Sequence, residues 1–276
     1  MSIKNNSNIE INKVNKIEKK RKSEKKIDKK KIIKSEKKID KVEKKIKKSK
    51  KKINKVEKNK SKKIKKVNNN KKYGIVVLDL DETLFHSIGE NSVNYRPHLK
   101  DFLMFLNNYF YLVVYTAAVK PYADERLDRI KIDDTHTLKN LFILRLARSA
   151  VTPNGKDLLV VLKNLLIKKE ENKIKIEQHF LEKIVNKKRV WNLDNIVLID
   201  NLVENFLESQ FFNGIPTKDF IKDNDDNGLL LLMKFFKNYL NLVIKKNKKI
   251  TLKQYLYENL YKLNKILKIE YHKPNC

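Results

Sequence analysis

Four short apolar runs, Ile75–Leu80, Tyr111–Tyr115, Leu141–Leu146 and Ile196–Ile199, are separated by stretches whose apolar residues recur at helical spacing. Runs that are apolar throughout, rather than alternating with polar residues, belong in a sheet buried on both faces. Their alternation with helices predicts an α/β fold, a doubly wound parallel sheet of the Rossmann-like kind. The helical patterns are specific. Arg96-Pro97-His98-Leu99-Lys100-Asp101-Phe102-Leu103 sets a proline at a helix start and Leu99, Phe102, Leu103 and Leu106 on one face, and Pro121–Ile130 predicts a second helix. Sheets of this kind bind ligands at the carboxyl ends of their strands. Asp79, Asp81, Thr116 and Asp200 all fall at such ends.

The first of those ends reads Leu78-Asp79-Leu80-Asp81-Glu82-Thr83-Leu84-Phe85-His86-Ser87. A strand alternates its faces, so Asp79 and Asp81 leave it on the same side. Two carboxylates that close repel each other, and a metal cation or a shared proton normally holds such a pair. The alternative is a strand-to-turn junction with solvated acids.

Charge divides the 276 residues unevenly. The chain has 64 Lys+Arg against 33 Asp+Glu, a net charge of +31. Residues 1–72 hold 32 basic and 8 acidic side chains, and the remaining 204 residues hold 32 and 25. The expected organisation is a low-complexity basic arm over 1–72, a catalytic-sized domain over 73–246 with an insert at about 160–192, and a helical extension over 247–276. In the arm, Lys-Ser-Glu-Lys-Lys-Ile-Asp occurs at 22–28 and 34–40, and Ile39, Val42, Ile46, Ile53 and Val56 form a lone helical stripe. That stripe suits a weak coiled coil, broken by Ser49 and Lys60. Like-charge repulsion predicts an arm that is disordered or transiently helical. Such an arm attracts nucleic acid, other polyanions or anionic membrane, or serves as a nuclear localisation signal; compositional bias toward Lys, Asn and Ile is the alternative.

Downstream, Leu158–Leu166 and Ile176–Val185 read as amphipathic stretches around a charged spacer, Asn213-Gly214-Ile215-Pro216 as a turn, and Leu229–Val243 and Leu252–Ile266 as amphipathic helices. The one cysteine, Cys276, excludes an intrachain disulfide or thiolate zinc site. The five histidines, at 86, 98, 136, 179 and 272, lack ligand spacing. There is no signal-peptide core, and the longest apolar stretch, Leu229–Met233, is far short of a membrane span. An intracellular protein, of nucleus or cytoplasm, is expected.

The run Asp79-Leu80-Asp81-Glu82-Thr83-Leu84 resembles the first motif of the haloacid dehalogenase superfamily. More narrowly, it is similar to the phosphatases that act on the C-terminal domain of RNA polymerase II, the Nuclear-LIM-interactor-interacting-factor group. Further segments resemble that group in order. They are Arg96 to Leu103, then Val114-Tyr115-Thr116-Ala117-Ala118 with Tyr122-Ala123-Asp124, then Gly155-Lys156-Asp157-Leu158, then Val197-Leu198-Ile199-Asp200-Asn201 with Asn205-Phe206 and Asn213-Gly214-Ile215. The resemblance covers about residues 73–240.

It implies a magnesium-dependent phosphatase. Asp79 would be the nucleophile that forms an aspartyl-phosphate, and Asp81 would protonate the leaving oxygen and then activate water. Mg2+ would take the Asp79 carboxylate, the Asp81 backbone carbonyl and Asn201, with Asp200 beside it or binding directly. Thr116 and Lys156 would hold the phosphoryl oxygens, Lys163 or Lys168 being alternatives to Lys156, and Arg148 is a weaker candidate for the substrate phosphate. Three features depart from the group's pattern. Only eight residues separate Ser87 from Arg96, where these phosphatases carry a longer β-insert with an apolar groove for a proline-containing peptide. The interval from Lys156 to Asp200 is long, at 44 residues, and Leu202-Val203 replaces Ser-Pro. The expected activity is removal of phosphate from phosphoserine or phosphothreonine in proteins. Small metabolites, nucleic-acid ends and a non-catalytic binding role are the alternatives.

Overall fold

The computed structural model of the chain describes residues 71–89 and 92–269. Nearly all of the basic arm, including its expected helical stripe, lies outside them. In chain order the elements begin with β1 (Ile75–Leu78), β2 (Phe85–Ile88), β3 (Ser92–Tyr95), α1 (Leu99–Tyr109), β4 (Tyr111–Tyr115), α2 (Lys120–Asp128) and β5 (Phe142–Leu146). They continue with α3 (Leu158–Glu170), α4 (Gln178–Leu181), β6 (Glu182–Val185), β7 (Lys188–Trp191), β8 (Ile196–Asp200), β9 (Gly214–Pro216), α5 (Gly228–Leu240) and α6 (Leu252–Leu267). Five strands form a parallel sheet in the order β5-β4-β1-β8-β9.

The doubly wound sheet expected from the apolar runs is present, and both of its faces are covered. Val76 and Leu78 of β1, Leu112 and Val114 of β4, and Val197 and Ile199 of β8 face a core closed by α1, α5 and α6. Ile75, Val77, Val113, Tyr115, Ile196 and Leu198 face the other core, closed by Leu158, Val161, Leu162 and Leu165 of α3 and by Phe180 and Leu181 of α4. Every residue of β1 is fully buried, which is why the run shows no alternation. The amphipathic stretch 158–166 is thus a sheet-covering helix. Asp157 caps it through a side-chain oxygen that accepts from the Leu159 N–H at 2.8 Å.

Two readings of the sequence are corrected. Asn213–Pro216 is not a turn: Gly214–Pro216 is the edge strand β9, paired in parallel with β8 from Leu198 to Asp200. The amphipathic stretch Ile176–Val185 is likewise not one element. A four-residue helix, α4, gives way to the antiparallel hairpin β6–β7, whose turn residues Asn186 and Lys187 both have positive φ, 49° and 63°. That is the backbone of a tight two-residue hairpin, adopted here without glycine.

The C-terminal helices behave as their spacing predicts. α6, capped by Thr251, buries Leu252, Tyr255, Leu256, Leu260 and Leu263. Tyr255 meets Phe235 and Tyr239 of α5 at ring-centroid distances of 5.0 and 5.5 Å. No described helix is long and apolar enough to cross a membrane.

Candidate active site

β1 and β8 are neighbours in register, Leu78 opposite Ile199, so the next residue of each, Asp79 and Asp200, emerges at the same end of the sheet. Asp79 continues the ladder through its N–H, which donates to the Ile199 carbonyl at 3.0 Å. Both carboxylates are buried, Asp200 completely. Lys156 lies between them, its Nζ 2.5 Å from Asp79 Oδ1 and 2.6 Å from Asp200 Oδ2. The lysine side chain is itself fully buried. Lys163 is exposed on α3, so the lysine in contact with the two carboxylates is the one beside Gly155.

Lys156 is delivered there by backbone. Its N–H donates to the Asn205 carbonyl at 2.9 Å, in the loop that follows β8. Gly155 precedes it with φ of +113°, where an added Cβ would lie 2.8 Å from that same carbonyl oxygen. Only glycine combines this φ with so close an approach. On the other side, Gln210 donates to Asp157 Oδ1 at 2.5 Å, tying the start of α3 to the segment beyond β8.

After Asp79 the chain turns sharply. Glu82 has φ of 54°, and the N–H groups of Leu84 and Phe85 both return to the Leu80 carbonyl. The turn brings Thr83 back beside Asp79, where its hydroxyl lies 3.2 Å from Asp79 Oδ2 and 2.9 Å from Asn201 Oδ1. The Asn201 N–H donates to the same hydroxyl at 3.1 Å, and Asn201 Nδ2 donates to Asp219 at 3.0 Å. Asp200 Oδ1 accepts from the Leu202 N–H and from Asn205 Nδ2. Arg96 braces the turn from behind, donating to the Thr83 carbonyl and to both oxygens of Asp226.

Burial pushes the Asp79 carboxyl well above the ordinary carboxylate range; Lys156 opposes the shift and the Asp200 charge adds to it. Burial also raises the Asp81 carboxyl, against the pull of a hydrogen bond from Tyr122. Thr116 stands at the end of β4, buried, its hydroxyl accepting from the Ala118 N–H at 3.1 Å and keeping its own proton to donate. Arg148 is exposed, and its Nε donates to the Ala117 carbonyl at 2.8 Å, beside Thr116.

Asp79, Asp200, Asn201 and Lys156 are therefore brought into one hydrogen-bonded cluster, with Asp81 and Thr116 on adjoining loops and Arg148 at the surface. Thr83, Asn205, Asp219 and Tyr122 are partners that sequence reasoning did not assign. Thr83 stood in the same motif, four residues after Asp79. Tyr122 and Asn205 stood in segments noted for their resemblance, without a role, and nothing marked Asp219.

Among the described residues no three His, Cys, Asp or Glu side chains converge as a metal cluster. The donor set nevertheless fits a small hard cation. Two buried carboxylates face one ammonium, an excess of negative charge, and Asp79 Oδ2 and the neutral Asn201 Oδ1 flank a single hydroxyl. A backbone carbonyl and water would complete an all-oxygen shell of the kind magnesium takes.

Two known proteins are similar to this chain over part of their length. Nuclear envelope morphology protein 1 of Schizosaccharomyces pombe is 28% identical over 183 residues, 58% of this chain and 32% of that protein. CTD small phosphatase-like protein 2 of Dictyostelium discoideum is 28% identical over 190 residues, 60% of this chain and 27% of that protein. The chain thus spans about a third or less of the length of these relatives. A solved structure of Fcp1, an essential RNA polymerase II CTD phosphatase, is similar with a TM-score of 0.36 and 15% identity, over 71% of this chain and 62% of that one. The family model of the NLI interacting factor-like phosphatases matches residues 74–249, from the residue before β1 to just short of α6. With well over half of its length matched, this chain belongs to the NLI interacting factor-like phosphatases.

Proposed function

We propose that the protein hydrolyses phosphate monoesters on serine or threonine of protein substrates, through an aspartyl-phosphate on Asp79 and with Mg2+ bound. The observation that carries this reading is the buried Asp79–Lys156–Asp200 cluster, with Thr83 joining Asp79 to Asn201. A carboxylate held at the end of a central strand, with a lysine against it, can attack phosphorus along a fixed line. The Asp79–phosphorus bond forms as the bond to the leaving oxygen breaks, and Asp81 gives that oxygen its proton. Asp81 then takes a proton from water as the water oxygen bonds phosphorus and Asp79 is released. The raised affinity of Asp81 for a proton suits the first of these duties. Thr116, with a proton to donate, and Lys156 would hold the equatorial oxygens, and Arg148 would meet the phosphate from the surface. Asp79, the Asp81 carbonyl and Asn201 would hold Mg2+, with Asp200 in support, and the ion would offset the repulsion between Asp79 and an incoming dianion.

A protein substrate is favoured by how little the chain sets between β1 and α1, where β2–β3 is a hairpin of two four-residue strands. Similarity to the nuclear envelope morphology protein supports a nuclear setting. The basic arm is read as an electrostatic tether to nucleic acid or another polyanion, outside the chemistry. Its removal should abolish steeply salt-dependent binding to RNA and leave hydrolysis of a small ester unchanged.

The test separates the two aspartates. After brief exposure to an aryl phosphate, intact-mass spectrometry should find phosphate on Asp81→Asn and none on Asp79→Asn, with no turnover by either on a phosphopeptide. A phosphorylated Asp79→Asn chain would overturn the nucleophile assignment, and full activity in excess chelator would overturn the metal.

A further inference from the structure

Asp81 stands apart from the charge cluster around Asp79, and a different group holds its carboxylate. Oδ1 of Asp81 lies 2.5 Å from the phenol oxygen of Tyr122, and the same phenol oxygen lies 2.5 Å from Ser87 Oγ. A carboxylate has no proton to give and a phenol has one. With Asp81 ionised, Tyr122 donates to Asp81 and Ser87 donates to Tyr122. Its members come from three elements, the turn after β1, strand β2 and the first turn of α2. The tyrosine ring is held in its own right, with the Arg126 guanidinium 4.9 Å from the ring centroid, one helical turn along α2.

We propose that Tyr122 is a positioning residue for Asp81: by donating to Oδ1 it fixes the carboxyl plane and leaves Oδ2 as the atom that carries the transferable proton, with Ser87 holding the phenol in that orientation. A carboxylic acid can bear its proton on either oxygen and can rotate about its Cβ–Cγ bond, and most of those arrangements do not face a leaving group. A proton on Oδ1 would face the phenol proton unless both hydroxyls of the chain turned round, so the chain as oriented for the carboxylate favours Oδ2. In the first half-reaction Oδ2 gives its proton to the leaving oxygen, which departs with the electron pair of its bond to phosphorus. In the second half Oδ2 regains a proton from the attacking water, and the phenol proton stays on Tyr122 throughout. This inference rests on the assignment of Asp81 as the acid.

The experiment compares leaving groups in the full chain. Tyr122→Phe keeps the ring over the Arg126 guanidinium and removes the hydroxyl with its hydrogen bonds. With an alkyl phosphate monoester, whose leaving oxygen needs the proton, kcat should fall about 10- to 100-fold with KM unchanged. With 4-nitrophenyl phosphate the burst of phosphoenzyme formation should stay within about threefold of wild type, because a nitrophenolate leaves with little protonation. Ser87→Ala should shift kcat in the same direction by about two- to fivefold. Asp81→Asn is the reference, with the same leaving-group selectivity and a larger loss on the alkyl ester. Equal losses on both esters for Tyr122→Phe, or a change confined to KM, would overturn the positioning role while leaving Asp81 as the acid. If Asp81→Asn itself shows no selectivity, the acid assignment fails and the role of Tyr122 with it.

Discussion

At the carboxyl ends of β1 and β8, two buried carboxylates lie within hydrogen-bond reach of one buried lysine. Behind the same sheet, α5 and α6 bury Leu, Phe and Tyr, and their packed faces carry no charge. The two regions are equally inaccessible to water and obey different rules. In the helix pair each apolar group contributes roughly in proportion to the surface it covers, so damage is graded. In the charge cluster each member is tolerable only because its partner is present, so damage is collective. Asp79 and Asp200 share one lysine, and losing that lysine leaves two buried carboxylates facing each other.

The largest effect is therefore expected at Lys156. Lys156→Met should lower turnover by about 10³-fold or more and reduce stability by about 3–5 kcal/mol, read from urea unfolding. Adding Asp200→Asn should restore part of the stability and none of the activity. A stable Lys156→Met chain would break the contrast between the two regions. Next comes Leu256→Ala, in the middle of α6 and fully buried. It should cost about 2–5 kcal/mol while kcat stays at the wild-type value. A change in kcat would mean that the helix pair reaches into the site.

Gly155→Ala should be smaller in stability, about 1–3 kcal/mol, from its φ and the 2.8 Å approach to the Asn205 carbonyl. Its effect should nonetheless fall on kcat as well, since Lys156 follows directly. The smallest effect belongs to Asp226, half-buried behind the turn. Burial raises its carboxyl, but the Arg96 hydrogen bonds and charge outweigh that and leave it below the ordinary range. A depressed acid stabilises the fold above the unfolded value of about 4 and loses that contribution as pH falls through its lower folded value. Asp226→Asn should thus cost about 1 kcal/mol at neutral pH, with the difference from wild type shrinking below about pH 4.

The contrast also explains what could be read before folding. Apolar runs and helical stripes report burial directly, so β1, β4, β5, β8 and the helices that cover them were legible with small shifts at their ends. β9 was not: three residues ending in Pro216 carry too little pattern, and what makes them a strand is pairing with β8. The β6–β7 hairpin was hidden because Asn186-Lys187 adopts a turn usually announced by Asn-Gly. In the site, Asp79, Asp81 and Asp200 were visible as acids at strand ends. Tyr122 stood in a segment noted for its resemblance but carried no role, because its hydrogen bond to Asp81 depends on where α2 begins. Thr83 was in plain view but gains its role from the positive φ of Glu82, which sequence does not display.

The lysine at the centre of the cluster also bears on how the molecule acquires its activity. Lys156 joins Asp79 across 77 residues of chain and Asp200 across 44. Contacts that distant cannot form until the intervening loops have closed, and closing them is slow compared with winding a helix. During refolding, helical signal should therefore return ahead of the site, and hydrolysis should reappear only with the last cooperative phase. Whatever interrupts the docking of β8 onto β1 would yield a chain rich in helix and catalytically silent.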